Sequence, residues 1–225
     1  MTPLSINPYN ASLDSVKAYT IVSTRPDLLI GTRFQLKYFA PAEYLNKESW
    51  EHEDFDYDIS ELGFRDNDIP NHVDIAAFGC SFTFGQAMPS DKLWHKILAN
   101  NIGYTTYNFG QPGAGIEAIV DIFLIVSQYV KIQKLILLAP PYHRMLVAAM
   151  NNDSETLGLV PTFPNYKSRL EGHYNIDISK IYMVTPDVQM KRIFKDRLFL
   201  LEHICRNKNI QLYTSSWDQE TYNFM

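Results

Sequence analysis

The sequence predicts an α/β domain built on a parallel, doubly wound sheet. Three observations carry that reading. From residue 72 onward, short apolar runs alternate with longer amphipathic stretches. The connections between them are short, which suits strand–helix–strand crossovers. One run, Val73–Gly85 (VDIAAFGCSFTFG), is almost wholly apolar and stops abruptly at Gly79-Cys80-Ser81. A strand covered on both faces reads this way. The C-terminal mouth of such a sheet is where ligands bind.

The elements follow in order. Val73–Phe78 is the first strand of the sheet. Ser90–Asn101 reads as a helix capped by Ser90, with Leu93, Trp94, Ile97 and Leu98 on one face and Gly103 as its stop. Tyr104–Phe109 is a second strand, Gly115–Val130 a long buried helix, and Lys134–Ala139 a third strand stopped by Pro140-Pro141. His143–Met150 reads as a helical turn and Asn151–Ile181 as an insertion or lid-like loop. Thr185 caps the next helix, with Pro186 in its first turn. Met190, Ile193, Phe194, Leu198, Leu201 and Cys205 form its apolar face, and Ile210–Ser215 is the fourth strand. A fifth strand and a closing helix are expected of such a core, and their place would lie beyond Met225.

Residues 1–70 differ from residues 71–225. Pro3, Pro8, Pro26 and Pro41 punctuate the first part, which reads as a largely irregular extension with a short strand around Arg33–Tyr38. Glu48–Asp58 is acidic and aromatic and reads as a solvated surface. The 225 residues carry a net charge of −5 and no long basic block, which speaks against nucleic-acid binding. The most apolar run, Ile116–Ile132, contains Glu117, Asp121 and Lys131 and suits a buried helix rather than a membrane span. No leader with a basic and then an apolar segment is read at the N-terminus, and Cys80 and Cys205 are expected as reduced thiols. A soluble, cytoplasmic protein is the expectation. No pair of residues has metal-ligand spacing, so no metal or cofactor is predicted.

Two blocks bear on chemistry. Gly79-Cys-Ser81-Phe-Thr-Phe-Gly85 is neither a G-x-S-x-G elbow nor a phosphate-binding loop. Asn108-Phe-Gly-Gln-Pro-Gly113 follows the second strand. Together they resemble the first two blocks of the SGNH, or GDSL-type, hydrolase family, and Leu62-Gly-Phe-Arg65 resembles a lead-in seen there. The resemblance implies a flavodoxin-like three-layer sandwich and an ester hydrolase acting on an O-acyl group, such as an acylated carbohydrate. It implies Ser81 as nucleophile, the N–H groups of Ser81 and Gly113 as an oxyanion hole, and Asn108 and Gly110 as supports of the turn. A hydroxyl at a strand-to-loop turn beside converging backbone donors is what acyl transfer requires.

The sequence also departs from the family. Cys80 stands where the family has Asp, and its side chain should point into the core. Pro141 falls near the place of the family's Asn donor. No Asp-x-x-His occurs: Asp218 is followed three residues later by Thr221. His143 and His173 are the remaining stand-ins for the base, and Arg144 is a group able to hold an anion. Tyr166, Lys167, Ser168, Arg169 and Tyr174 read as a polar loop, with carbohydrate or nucleotide stacking as the other reading. Two expectations therefore stand together. One is a hydrolase with an unassigned base, acting on a small-molecule or glycan ester. The other is a catalytically silent binding module for a glycan or a protein, the protein partner pairing at the open sheet edge beside the fourth strand.

Overall fold

The computed structural model describes residues 59–60, 62–65, 69–85, 88–145 and 187–225, and the backbone of four further strand segments at 33–34, 55–56, 146–150 and 157–162. The first two segments, β1 (Arg33–Phe34) and β2 (Phe55–Asp56), pair antiparallel. The rest of the acidic run before Asp56 lies outside the described residues.

Four parallel strands make the central sheet: β3 (His72–Gly79), β4 (Thr106–Asn108), β5 (Lys131–Ala139) and β8 (Gln211–Ser216), in the order β4-β3-β5-β8. The chain leaves β3 for β4 on one side and leaves β5 for β8 on the other. The neighbouring strands β3 and β5 therefore flank the topological switch point, where a crevice opens at their C-terminal ends. This is the flavodoxin-like, three-layer arrangement that the sequence predicts.

Side chains alternate across the sheet and so define its two helical layers. Phe78 meets Phe123 edge-on at 5.7 Å, which sets α3 (Ile116–Tyr129) on one face. The helix α4 (Asp187–Asn207) packs beside α3, tied by Arg197 to Asp121 at 3.1 Å and by Lys208 Nζ to the Ser127 carbonyl at 2.9 Å. On the other face lies α2 (Trp94–Ile102), whose His95 Nδ1 is 3.2 Å from Thr106 Oγ1. Thr106 pairs with Ile75, one residue out of phase with Ala76 and Phe78 of the opposite core. Ten of the fourteen residues of α3 are buried, as its nearly unbroken apolar sequence requires. Phe64, ahead of β3, is also built into the core, edge-on to Phe109 at 5.2 Å.

Several elements differ from the sequence reading. The helix after β3 is broken. Ser90–Lys92 is a 3-10 turn, Leu93 is extended and buried, and α2 starts only at Trp94. Ser90 does not cap it; its hydroxyl accepts from Lys96 instead. The break changes the helical phase, so His95 and Ala99 face the sheet while Ile97 is exposed. β5 begins three residues early because His72 and Val73 supply pairing partners for Lys131 and Ile132. Residues 145–150 are not helical: β6 (Met145–Met150) pairs antiparallel with β7 (Leu157–Thr162), so a hairpin occupies part of the expected lid-like loop. A short run of six apolar residues has no period that separates helix from strand, and only the partner strand decides. Thr185, Pro186 and the remainder of 151–181 lie outside the described residues.

After α4, Asn209 takes a left-handed conformation (φ 55°) and turns the chain into β8. A further short helix, α5 (Gln219–Phe224), follows β8 where the sequence reading placed no element. Among the described residues β8 has no strand on its outer side. No helix among the described residues is long and apolar enough to cross a membrane.

Candidate functional site at the C-terminal mouth of the sheet

β3 ends in Gly79, and the chain folds at once into the single turn α1 (Ser81–Phe84). Cys80 is fully buried, and its carbonyl accepts from Thr83 N at 3.0 Å and Phe84 N at 2.9 Å. Ser81 is half-buried at the start of this turn. The turn is braced from two directions. The buried Asn108 carboxamide donates to the Thr83 carbonyl at 2.9 Å and the Phe84 carbonyl at 3.3 Å, and accepts from Gly110 N at 2.9 Å. The Arg65 guanidinium, 2% exposed, donates to the carbonyls of Phe84, Gly85 and Met88. Gln111 N donates to the Gly79 carbonyl at 2.9 Å and so fastens the turn after β4 to the end of β3.

Two glycines permit this approach. A Cβ on Gly110 would lie 2.4 Å from Phe84 N, inside the contact distance of backbone atoms that cannot move aside. Gly113 has φ 80°, the left-handed region that favours glycine. The result is that Ser81 and Gly113 stand on adjoining turns. Among the described residues, the backbone N–H of neither one donates to a protein acceptor. For Ser81 this follows from its place at the first position of a helical turn, where N–H groups have no intrahelical partner.

The turn after β5 completes the mouth. Pro140 and Pro141 end the strand, and Arg144 N donates to the Pro141 carbonyl at 3.0 Å. Tyr142 N donates to Thr221 Oγ1 at 3.1 Å, and the Tyr142 hydroxyl donates to Asp187 and to Glu220. Lys191 Nζ holds the same two carboxylates at 2.8 and 3.0 Å. Burial and those carboxylates push the Tyr142 phenol up to about 12, so it stays a donor at neutral pH. This network ties the turn to α4 and α5.

His143 is half-buried. Burial pulls its pKa below the usual histidine value, although the Asp218 charge works against that pull. The ring is therefore neutral at pH 7 and able to accept a proton. Burial would raise the Asp218 carboxyl, but the Thr221 hydroxyl and N–H, with the charges of His143 and Arg144, hold it below its usual range. Asp218 Oδ2 accepts from Thr221 N at 2.8 Å and from Thr221 Oγ1 at 2.6 Å, which caps α5. The Asp-x-x-Thr spacing thus makes a helix cap.

Trp217 joins the two sides of the mouth. Its ring lies 4.7 Å from the ring of Phe82, the neighbour of Ser81, and the Arg144 guanidinium sits over it at 5.4 Å. Asn108 and Gly110 are thus brought against the turn that Ser81 opens, Gly113 lies in the adjoining turn, and His143 and Arg144 lie at the same end of the sheet. His173 and the segment Tyr166–Tyr174 lie outside the described residues. His95 is a fully buried core residue, and His72 sits at the opposite end of the sheet.

Sequence reasoning did not single out Arg65, Trp217 or the Tyr142 network as parts of the site. Arg65 carried one signal, its place at the end of the Leu62-Gly-Phe-Arg65 lead-in. Trp217 carried none beyond its position after a strand, and Asp218 only the Asp-x-x-Thr spacing to Thr221. Among the described residues no group of three His, Cys, Asp or Glu side chains is placed to hold a metal ion.

No protein-family model matches the chain, and no curated protein matches it.

Proposed function

We propose that this chain is a serine ester hydrolase of the SGNH type, acting on an O-acyl ester such as an acylated carbohydrate. The observation that carries the proposal is the pair of backbone N–H groups on Ser81 and Gly113. The Ser81 N–H lies on the turn that carries the half-buried Ser81 hydroxyl and the Gly113 N–H on the adjoining turn; neither has a protein acceptor among the described residues, and Asn108 and Arg65 brace the Ser81 turn. Braced donors of this kind serve charge that develops only in the transition state.

In this reading the Ser81 oxygen attacks the ester carbonyl and its proton passes to His143. The carbonyl oxygen becomes an oxyanion facing the Ser81 and Gly113 N–H groups. The alcohol leaves with the proton from His143, an acyl-Ser81 remains, and water attacks it by the same route in reverse. His143 is the base because it lies in the turn after β5 and is held neutral, with Asp218 the carboxylate that acts on it most strongly. Buried, free Cys80 and Cys205 fit a cytoplasmic setting.

The second reading is a catalytically silent module that binds a glycan or a protein. It is favoured by one observation: Asp218, in the family's dyad spacing, is committed to Thr221. A protein partner would then pair with the open edge of β8.

Hydrolysis of 4-nitrophenyl acetate by the wild-type chain, Ser81→Ala and His143→Ala decides between them. The hydrolase reading expects a loss of about 10³-fold or more in kcat for each variant, the scale of losing one member of a nucleophile–base pair. Equal rates for the wild type and Ser81→Ala would remove Ser81 as the nucleophile and leave the second reading.

A further inference from the structure

We infer that Tyr142 and Thr221 are positioning residues for His143: together they fix the turn after β5 from which the imidazole is presented at the mouth. The inference rests on the reading of His143 as the base and deepens it by naming what holds that base.

Three observations support the assignment. First, Tyr142 directly precedes His143 and is held at both ends. Its backbone N–H donates to Thr221 Oγ1 at 3.1 Å, and its phenol oxygen lies 2.5 Å from Asp187 Oδ1 and 3.0 Å from Glu220 Oε1. The backbone end is thereby bonded to α5, and the phenol end to α4 and α5. Second, the Tyr142 ring stands edge-on to the His143 imidazole, with centroids 5.7 Å apart. That ring is itself packed: Lys191 Nζ lies 4.8 Å from its centre and the Phe224 ring 5.9 Å away. Third, the buried Thr221 hydroxyl has two roles. It accepts from Tyr142 N and donates to Asp218 Oδ2 at 2.6 Å. One hydroxyl thus links the backbone next to the base with a carboxylate whose charge reaches that base.

Only a hydroxyl can do both, because it carries one proton and two lone pairs. Hydrogen bonds joined in a chain also polarise one another. Burial lowers the His143 pKa, and the Asp218 charge is the strongest influence against it. Glu220 and Asp187 act in the same sense as Asp218, and Arg144 acts with burial. Thr221 therefore bears on both the place of the imidazole and its charge, and Tyr142 on its place.

The test measures kcat and KM for 4-nitrophenyl acetate across pH 5 to 9, a range of about two units either side of neutrality. The wild-type chain is compared with Tyr142→Phe, Thr221→Val and Thr221→Ser, each checked for folding by urea denaturation. Tyr142→Phe keeps the ring and leaves Asp187 and Glu220 bonded to Lys191. Thr221→Val keeps the shape and removes the hydroxyl, and Thr221→Ser keeps the hydroxyl.

Tyr142→Phe and Thr221→Val are each expected to lower kcat about 10- to 100-fold with KM changed by less than about twofold, as a misplaced reacting group does and a lost substrate contact does not. Thr221→Ser is expected to recover most of kcat. In Thr221→Val the acid limb of kcat/KM is expected to move to lower pH, because the Asp218 charge that raises His143 loses the hydroxyl bond that holds it in place. Thr221→Ser keeps the limb where it is in the wild type. Wild-type kcat in both Tyr142→Phe and Thr221→Val would overturn the inference while His143-dependent turnover stood. Where Thr221→Val does not fold, Tyr142→Phe decides alone. Turnover that survives His143→Ala would remove the base, and this inference with it.

Discussion

Asn108→Ala probes the brace on which the proposed site depends. The side chain is fully buried, donates twice into the α1 turn and accepts from Gly110 N. The Phe84 carbonyl retains Arg65 as a second donor, so its loss is partly covered. The Thr83 carbonyl and the Gly110 N–H lose the partner that Asn108 provides. Each buried group left unsatisfied costs about 1–3 kcal/mol, so the variant is expected to lose about 3 kcal/mol of unfolding free energy. Urea denaturation followed by tryptophan fluorescence measures this as a lower midpoint with an unchanged slope. Hydrolysis of 4-nitrophenyl acetate by the folded variant reports whether Ser81 and Gly113 still converge, and a lower kcat is expected at unchanged protein concentration. A destabilisation below about 1 kcal/mol would refute the reasoning, because it would mean that the two turns stay in place without the carboxamide.

Two further outcomes follow from buried polar groups. Gln111 is 1% exposed, and both ends of its carboxamide are without a hydrogen-bond partner among the described residues, so Gln111→Met is expected to raise stability by about 1 kcal/mol; a loss of that size in urea denaturation would show the carboxamide to be satisfied in solution. His95 is buried and its pKa is lowered to about 3, first by desolvation and then by the charges of Lys96 and Arg65. The folded value lies below the unfolded one, so the unfolded state binds more protons below about pH 6.5, and stability that is complete above that pH is lost as the pH falls towards 3. Between pH 7 and pH 5 the loss is expected to be about 2 kcal/mol, and His95→Gln should flatten it; the same pH slope in both proteins would assign the titration to other groups.

The central sheet and the helices that cross it were legible because each is written in local periodicity. Val73–Phe78 is a continuous apolar run, and Ile116–Tyr129 is apolar around its whole circumference, so both had to be buried whatever lay beside them. The two halves of the proposed site were legible for a similar reason. Gly79–Gly85 and Asn108–Gly113 are compact turns whose conformations depend on glycines within the segment itself.

What was not legible depends on partners far away in the chain. Residues 145–150 became a strand because residues 157–162 pair with them, and the apolar sequence alone fits either state. The break at Leu93 set which face of α2 is buried, and that phase answers to Thr106 of β4 rather than to the helix's own pattern. The buried guanidinium of Arg65 lies 19 to 23 residues from the carbonyls it holds.

By itself, then, the sequence determined which segments are buried and where the chain turns tightly, because burial and backbone strain are properties of neighbouring residues. Only the tertiary structure decided which side chains share the mouth with Ser81. The turns after β3, β4, β5 and β8 meet at one mouth because parallel pairing aligns their C-terminal ends, and that alignment brings Phe82, Arg144 and Trp217 together. It also placed Asp218, whose bonds to Thr221 cap α5 locally, where its charge reaches His143.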